Sequence, residues 1–202
     1  MSEIAEIRGQ MARATEFRGY GAAALAGTAG LAVAAAAGQA LWAPQPMATP
    51  WAYVGWWSAA AALAAGLIGA EAVARAKRLH GGLADEMIRA AMEQFLPAAI
   101  AGMLLTWVLV RYAPASAGLL PGLWQVIFSL GVFATCRILP RPVLAVGVWY
   151  LATGLACIAA AGRDLAPWMM GAPFAVGQAM AAAIIWKTRE RDDERSERDG
   201  TI

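Results

Sequence analysis

Apolar residues fill long unbroken stretches of this 202-residue chain, and charged residues are confined to the intervals between them. No charge falls between Arg18 and Glu71, between Glu93 and Arg111, between Arg111 and Arg137, or between Asp164 and Lys187. A hydrocarbon layer about 30 Å thick is crossed by about 20 apolar residues at a rise of about 1.5 Å each, so the first gap has room for two crossings and the others for one apiece. The pattern predicts six helices: Tyr20 to Trp42, Trp51 to Ala70, Phe95 to Val110, Leu120 to Cys136, Val143 to Ala161, and Pro167 to Trp186. The third and fourth are short on their own and must take in a turn from their flanks. Strands do not fit, because the runs lack alternation and are dominated by alanine, a poor sheet former. The expected fold class is all-α: a polytopic integral membrane helix bundle with six transmembrane helices. A soluble all-α protein with buried helices is the competing class, and this many charge-free stretches weigh against it.

The intervals carry patterns of their own. In residues 1–19, Ile4, Ile7, Met11, Ala14 and Phe17 recur at three- and four-residue steps, with Glu3, Glu6, Arg8, Gln10, Arg13 and Glu16 between them. That spacing predicts an amphipathic interfacial helix leading into the bundle. Residues 71–94 divide at His80-Gly81-Gly82: the part before can extend the second span by helical turns, and Leu83, Met87, Ala91 and Phe95 form an apolar stripe leading into the third. A cytoplasmic helical hairpin is expected there, within a transmembrane domain of residues 20–186. Residues 187–202 form a charged cytoplasmic tail with five basic and six acidic residues, the pattern of a solvated helix without an apolar face.

Composition strengthens the membrane assignment, since 60% of residues are hydrophobic and 15% charged, against roughly 45–50% hydrophobic in ordinary soluble domains. Lys and Arg are retained on the cytoplasmic side of a membrane. With six spans and both termini cytoplasmic, fourteen of the sixteen basic residues fall inside and only Arg111 and Arg163 outside. Five or seven spans would spoil that partition. The expected location is the bacterial cytoplasmic (inner) membrane, as a multi-pass protein. A cleaved signal peptide is the alternative for the first span, but the region before it has at least as many acids as bases, and only Gly38-Gln39-Ala40 resembles a cleavage site. Cys136 and Cys157 both fall within spans and make neither a disulfide framework nor a metal pattern.

No proposed span has an Asp, Glu, Lys, Arg or His in its interior, which disfavours proton relays, ion-coupled transport and voltage sensing. His80, the only histidine, is more simply a helix C-terminal cation than a metal or haem ligand. No nucleophile–base pair or metal set is visible, so no catalytic residue and no cofactor is expected. The tail is net negative and gives no reason to expect direct nucleic-acid binding. The polar residues within the spans are Gln39, Thr106, Gln125, Ser129, Thr153 and Gln178, for which hydrogen bonds between helices are the simplest role. Glycines in most spans let backbones approach closely and leave an oligomer open.

Tryptophan changes the picture. Trp42, Trp51, Trp56, Trp57, Trp107, Trp124 and Trp168 fall in the half expected to face outwards, with Trp149 and Trp186 further in. An aromatic belt would mark both interfaces. The asymmetry leaves room for an aromatic-lined outer pocket for a hydrophobic or cationic small molecule, with Trp57, Trp107, Trp124, Gln125 and Gln178 as candidate ligand-binding residues. The recurrence of VGWW (Val54 to Trp57) as VGVW (Val146 to Trp149) hints at an inverted repeat of three plus three spans.

The stretch LPGLWQVIFSLGVFATCRILPRPVLAVGVWYLATG, followed by PWMMGAPFAVGQAMAAAIIW, resembles the C-terminal half of an uncharacterised family of small six-span bacterial membrane proteins, and IRGQMARATEF is similar to that family's lead-in. The residues that carry the likeness are Leu120, Pro121, Gly122, Trp124, Gly131, Pro140, Tyr150, Gly154, Pro167, Trp168, Met170, Gly171, Pro173, Gly177 and Gln178. The resemblance implies the topology and no activity. Members look like companions of winged-helix regulators, which suits a non-enzymatic membrane sensor, scaffold or signalling partner engaging a cytoplasmic protein through the hairpin. A small transporter or binder using the outer pocket is the second expectation.

Overall fold

A computed structural model describes residues 21–42, 50–78, 82–135, 141–160 and 165–199. The amphipathic helix expected at 1–19, the His80 tip of the hairpin, and Cys136 lie outside the described residues. Within them the chain is all-helical, with six α-helices: α1 (Ala22–Trp42), α2 (Pro50–Arg78), α3 (Gly82–Tyr112), α4 (Leu120–Thr135), α5 (Leu144–Ala159) and α6 (Pro167–Asp199). Prolines set several starts. Pro50 and Pro167 occupy the first positions of α2 and α6 and Pro121 the second of α4, where a missing N–H costs nothing because the first turn has no partner for it.

Five stretches are long and apolar enough to cross a membrane: Ala22–Trp42, Pro50–Ala74, Glu93–Tyr112, Pro114–Thr135 and Pro167–Arg191. The fourth reaches that length by taking in the 3₁₀ segment Pro114–Leu119 ahead of α4, the borrowed turn that its short apolar run requires. α5 is apolar but has 16 residues, about 24 Å of helix, and follows a single 3₁₀ turn at Arg141–Val143. The helices also outrun the apolar stretches, since α2 continues to Arg78, α3 begins at Gly82 and α6 continues to Asp199.

Neighbouring helices are antiparallel, and small residues decide where they touch. α4 packs extensively against α5, and a Cβ on Gly122 would sit 2.6 Å from the Gly154 carbonyl oxygen, while one on Gly154 would sit 2.8 Å from that of Gly122. The two backbones are in direct contact, which only glycine permits at both positions. α1 packs extensively against α6, with Gly171 seated on Ala36. Between these pairs, Phe128, Tyr150 and Phe174 form an aromatic triangle with centroids 4.8 to 5.3 Å apart. At the end of the bundle where α1 begins, the Ala24 N–H donates to Glu71 Oε2 of α2 at 2.9 Å, and the Glu71 carboxylate fills the space a side chain on Gly21 would need. A carboxylate there meets the unpaired N–H groups and positive dipole end of α1.

α2 and α3 are peripheral. Only 11% of each one's apolar stretch is buried, against 44% for α1. Leu63, Met103, Leu104 and Val108 are exposed, apolar surface that suits lipid and would be costly in water. The chain is a membrane-embedded helical bundle.

Candidate functional site

The end of the bundle opposite Glu71 gathers the last turns of α1, α3 and α5 and the first turns of α2, α4 and α6. Tyr53 and Trp57 lie one turn apart on α2 and so share a face; both are buried. The Trp57 indole N–H donates to Gln39 Oε1 of α1 at 2.7 Å, and the Gln39 amide in turn donates to the Leu165 carbonyl at 3.2 Å. Trp56 donates to the Ala35 carbonyl at 2.9 Å, with its ring filling the space over Gly38. On the other flank the Trp124 N–H donates to Thr106 Oγ1 at 2.7 Å. The Tyr53 ring stacks on Trp124 with centroids 5.9 Å apart and planes 15° from parallel, which ties α2 to α4.

Gln125 occupies the middle, fully buried, and its placement has a cause two helices away. Pro173 lies inside α6 and lacks the N–H that would bond the carbonyl four residues back. That carbonyl belongs to Met169, and Gln125 Nε2 donates to it at 2.9 Å. The same amide nitrogen lies 3.0 Å from the Pro121 carbonyl and 3.6 Å from Cys157 Sγ. Two carbonyl oxygens fix which end of the amide is nitrogen, because an amide oxygen turned towards them would face only acceptors. Gln125 Oε1 is thereby aimed elsewhere, and it has no hydrogen-bond partner.

Tyr53 is the second exception. Its hydroxyl is buried and unpartnered, so that two of the three such side-chain atoms among the described residues belong to this centre. Tyr53 is 2% exposed and Gln125 0%. Most buried polar groups find a partner, and a buried polar atom without one costs about 1–3 kcal/mol. Gln125 touches Cys157, and Tyr53 stacks on Trp124, the residue before Gln125. Leu165, Met170, Trp57 and Phe174 close the apolar walls.

Of the residues singled out from the sequence, Trp57, Trp124 and Gln125 meet in this centre. Trp107 is half exposed on the perimeter, edge-on to Tyr112 at 5.5 Å. Gln178 lies nine residues beyond Met169 on α6, about 13 Å along the axis, next to Gly177, against which the Tyr150 ring and hydroxyl pack. The tryptophans divide accordingly. Trp42, Trp51, Trp107 and Trp168 are exposed in the manner of a belt, while Trp56, Trp57 and Trp124 turn into the bundle. Tyr53 was not singled out by sequence reasoning. Its signal was its spacing, four residues before Trp57 on the same helical face.

The centre offers aromatic faces, one free donor and one free acceptor. The Cys157 thiol has the Gln125 amide and the Met169 carbonyl as polar neighbours among the described residues. In comparisons with known proteins, no family model, no curated protein and no solved structure matches this chain.

Proposed function

We propose that this chain is a membrane-embedded sensor that holds a small molecule between α2, α4, α5 and α6. The observation that carries the reading is the pair of buried, unpartnered polar atoms, Tyr53 Oη and Gln125 Oε1, set among Trp57, Trp124 and Cys157. Where neighbouring polar groups such as Gln39, Trp57, Thr106 and Trp124 are paired with one another, such a pair is the signature of a site completed by something that binds. The Lys and Arg partition supports a bacterial cytoplasmic membrane location with both termini inside, and with it an outward position for this centre. Similarity to small six-span proteins that look like companions of winged-helix regulators accords with a sensing role. The test is native mass spectrometry on protein released from membranes without delipidation. The reading expects an adduct of defined mass that disappears in Gln125→Leu; an adduct-free spectrum for protein that remains folded overturns it.

A second reading, a scaffold that docks a cytoplasmic protein, is favoured by a different observation. α3 is helical from Gly82, well ahead of the point at Glu93 where its membrane-length apolar stretch begins. Removing residues 79–86 should leave the bundle intact and abolish signalling output in cells if the hairpin carries it. An unchanged output sinks the docking role.

A further inference from the structure

Pro173 divides the fasteners of α6 into two sets. Before it they are glutamines of α1 and α4: Gln39 Nε2 donates to the Leu165 carbonyl at 3.2 Å, just ahead of the helix, and Gln125 Nε2 to the Met169 carbonyl at 2.9 Å. After it they are aromatic residues of α5. The Trp149 indole N–H donates to the Pro173 carbonyl at 2.9 Å, the Tyr150 hydroxyl to the Phe174 carbonyl at 3.5 Å, and the Tyr150 ring fills the space over Gly177. Further along, Ala182 and Ile185 pack with Ala22 and Leu25 of α1. A proline inside a helix removes one backbone bond across the joint and crowds the carbonyl four residues back, which is where sharp kinks arise. The short segment ahead of that joint rests on the two amides, on apolar packing, and on the contact of Gly171 with Ala36 and the Ala32 carbonyl. That contact joins small groups with no side chain to interlock, and a segment can turn on it. Leu165 and Met170, both buried, belong to the segment and pack in one cluster with Tyr53 and Trp57.

We infer that residues 165–172 form a lid over the end of the bundle opposite Glu71, hinged at Pro173 and latched by Gln39 and Gln125. With the latch closed, Leu165 and Met170 complete the cluster around Tyr53 and Trp57. When it opens, the segment swings on Pro173 and carries Leu165 and Met170 away, while α6 beyond the proline stays fastened to α5. Both latch bonds run from a neutral amide to a carbonyl and are weaker than charge-assisted bonds, as a latch that must release requires. The inference goes beyond the small-molecule reading and stands on different atoms, the donating Nε2 of each glutamine.

The experiment measures distances by pulsed electron spin resonance on the full chain in lipid nanodiscs, with nitroxide labels in a background of Cys136→Ala and Cys157→Ala. One labelled pair, Trp168→Cys with Trp107→Cys, reports the lid. The other, Trp186→Cys with Val73→Cys, reports α6 beyond the hinge; all four positions are exposed. The helical part of the lid, residues 167–172, is about 9 Å long, and a change of about 20° in its kink moves the free end by about 3 Å. Gln125→Leu should shift or broaden the lid distances by about that amount and leave the second pair unchanged. Gln39→Leu removes the other latch from a different helix and should act in the same way, which keeps the test decisive if Gln125→Leu does not fold. Pro173→Ala restores a backbone bond across the hinge and should abolish the response of the lid distances to either glutamine replacement. Lid distances unchanged in the glutamine variants, equal shifts in both pairs, or a response that survives Pro173→Ala overturns the inference.

Discussion

Pro173 and Gln125 sit on different helices, and the structure makes the second the remedy for the first. The prediction is that replacing Gln125 costs stability only while Pro173 is present. In the wild-type chain, Gln125→Leu takes the amide partner from the Met169 carbonyl, which Pro173 has already deprived of its backbone bond. The Met169 carbonyl would keep only the weak Cys157 thiol at 3.8 Å; a buried carbonyl left unpaired costs about 1–3 kcal/mol in soluble proteins, and hydrogen bonds between membrane helices average about 0.6 kcal/mol and reach about 1.7. The expected loss is therefore about 1 kcal/mol. In Pro173→Ala the backbone N–H restored at that position can reach the Met169 carbonyl, and the same replacement of Gln125 should then cost close to nothing. Deleting Gln125 also removes its unpartnered Oε1, but that gain is common to both backgrounds and cancels in the cycle. Reversible unfolding of the four proteins in mixed micelles measures the coupling, expected at about 1 kcal/mol with the double variant more stable than the sum of the singles. Additivity within about 0.3 kcal/mol would show that Gln125 does not serve the carbonyl freed by Pro173.

Other expectations follow from particular contacts. Gly154→Val should destabilise strongly, by about 3 kcal/mol or more, because its side chain would have to displace the Gly122 carbonyl, Val126 and the backbone between them; near-wild-type thermal stability in detergent contradicts the close α4–α5 contact. Glu71→Ala should lose about 0.5–2 kcal/mol by uncapping the N-terminus of α1, measured by the same unfolding assay, and a gain in stability would count against the cap. Gln39→Leu should leave the exposed tryptophans unaffected but alter the environment of Trp57, whose indole loses its acceptor; hydrogen–tritium exchange at the Trp57 N–H should accelerate, and unchanged exchange refutes the bond. For topology, single cysteines within residues 43–50 and at Gly82, in a chain lacking Cys136 and Cys157, should label differently with an impermeant thiol reagent in intact cells, and equal labelling contradicts both termini being cytoplasmic.

The helices were legible because hydrocarbon tolerates neither charge nor unpaired backbone, so spans announce themselves as charge-free runs. Even the borrowed turn ahead of α4 followed from length alone. What the runs could not give was which tryptophans turn inwards: Trp56 and Trp57 are turned to different partners, Ala35 and Gln39, while Trp51 on the same helix is exposed. Spacing places residues on a face, but whether that face meets a neighbour depends on helix packing that no local pattern encodes. The same holds for Gln125. Pro173 in an apolar run signals that a carbonyl four residues earlier lacks its bond, and that half of the interaction is readable. Its partner lies 44 residues away in sequence, and that Gln125 reaches it comes from the α4–α6 crossing. Tyr53 was missed because its meaning lies in what its hydroxyl does not touch.

The central claim is that Tyr53 Oη and Gln125 Oε1 are completed by a bound molecule, and an experimental density map of the protein in native lipid tests it most directly. The account predicts non-protein density longer than a single water, within hydrogen-bonding distance of Tyr53 Oη or Gln125 Oε1. Tyr53 and Gln125 bonded to each other or to other protein groups, with no such density between them, would contradict it.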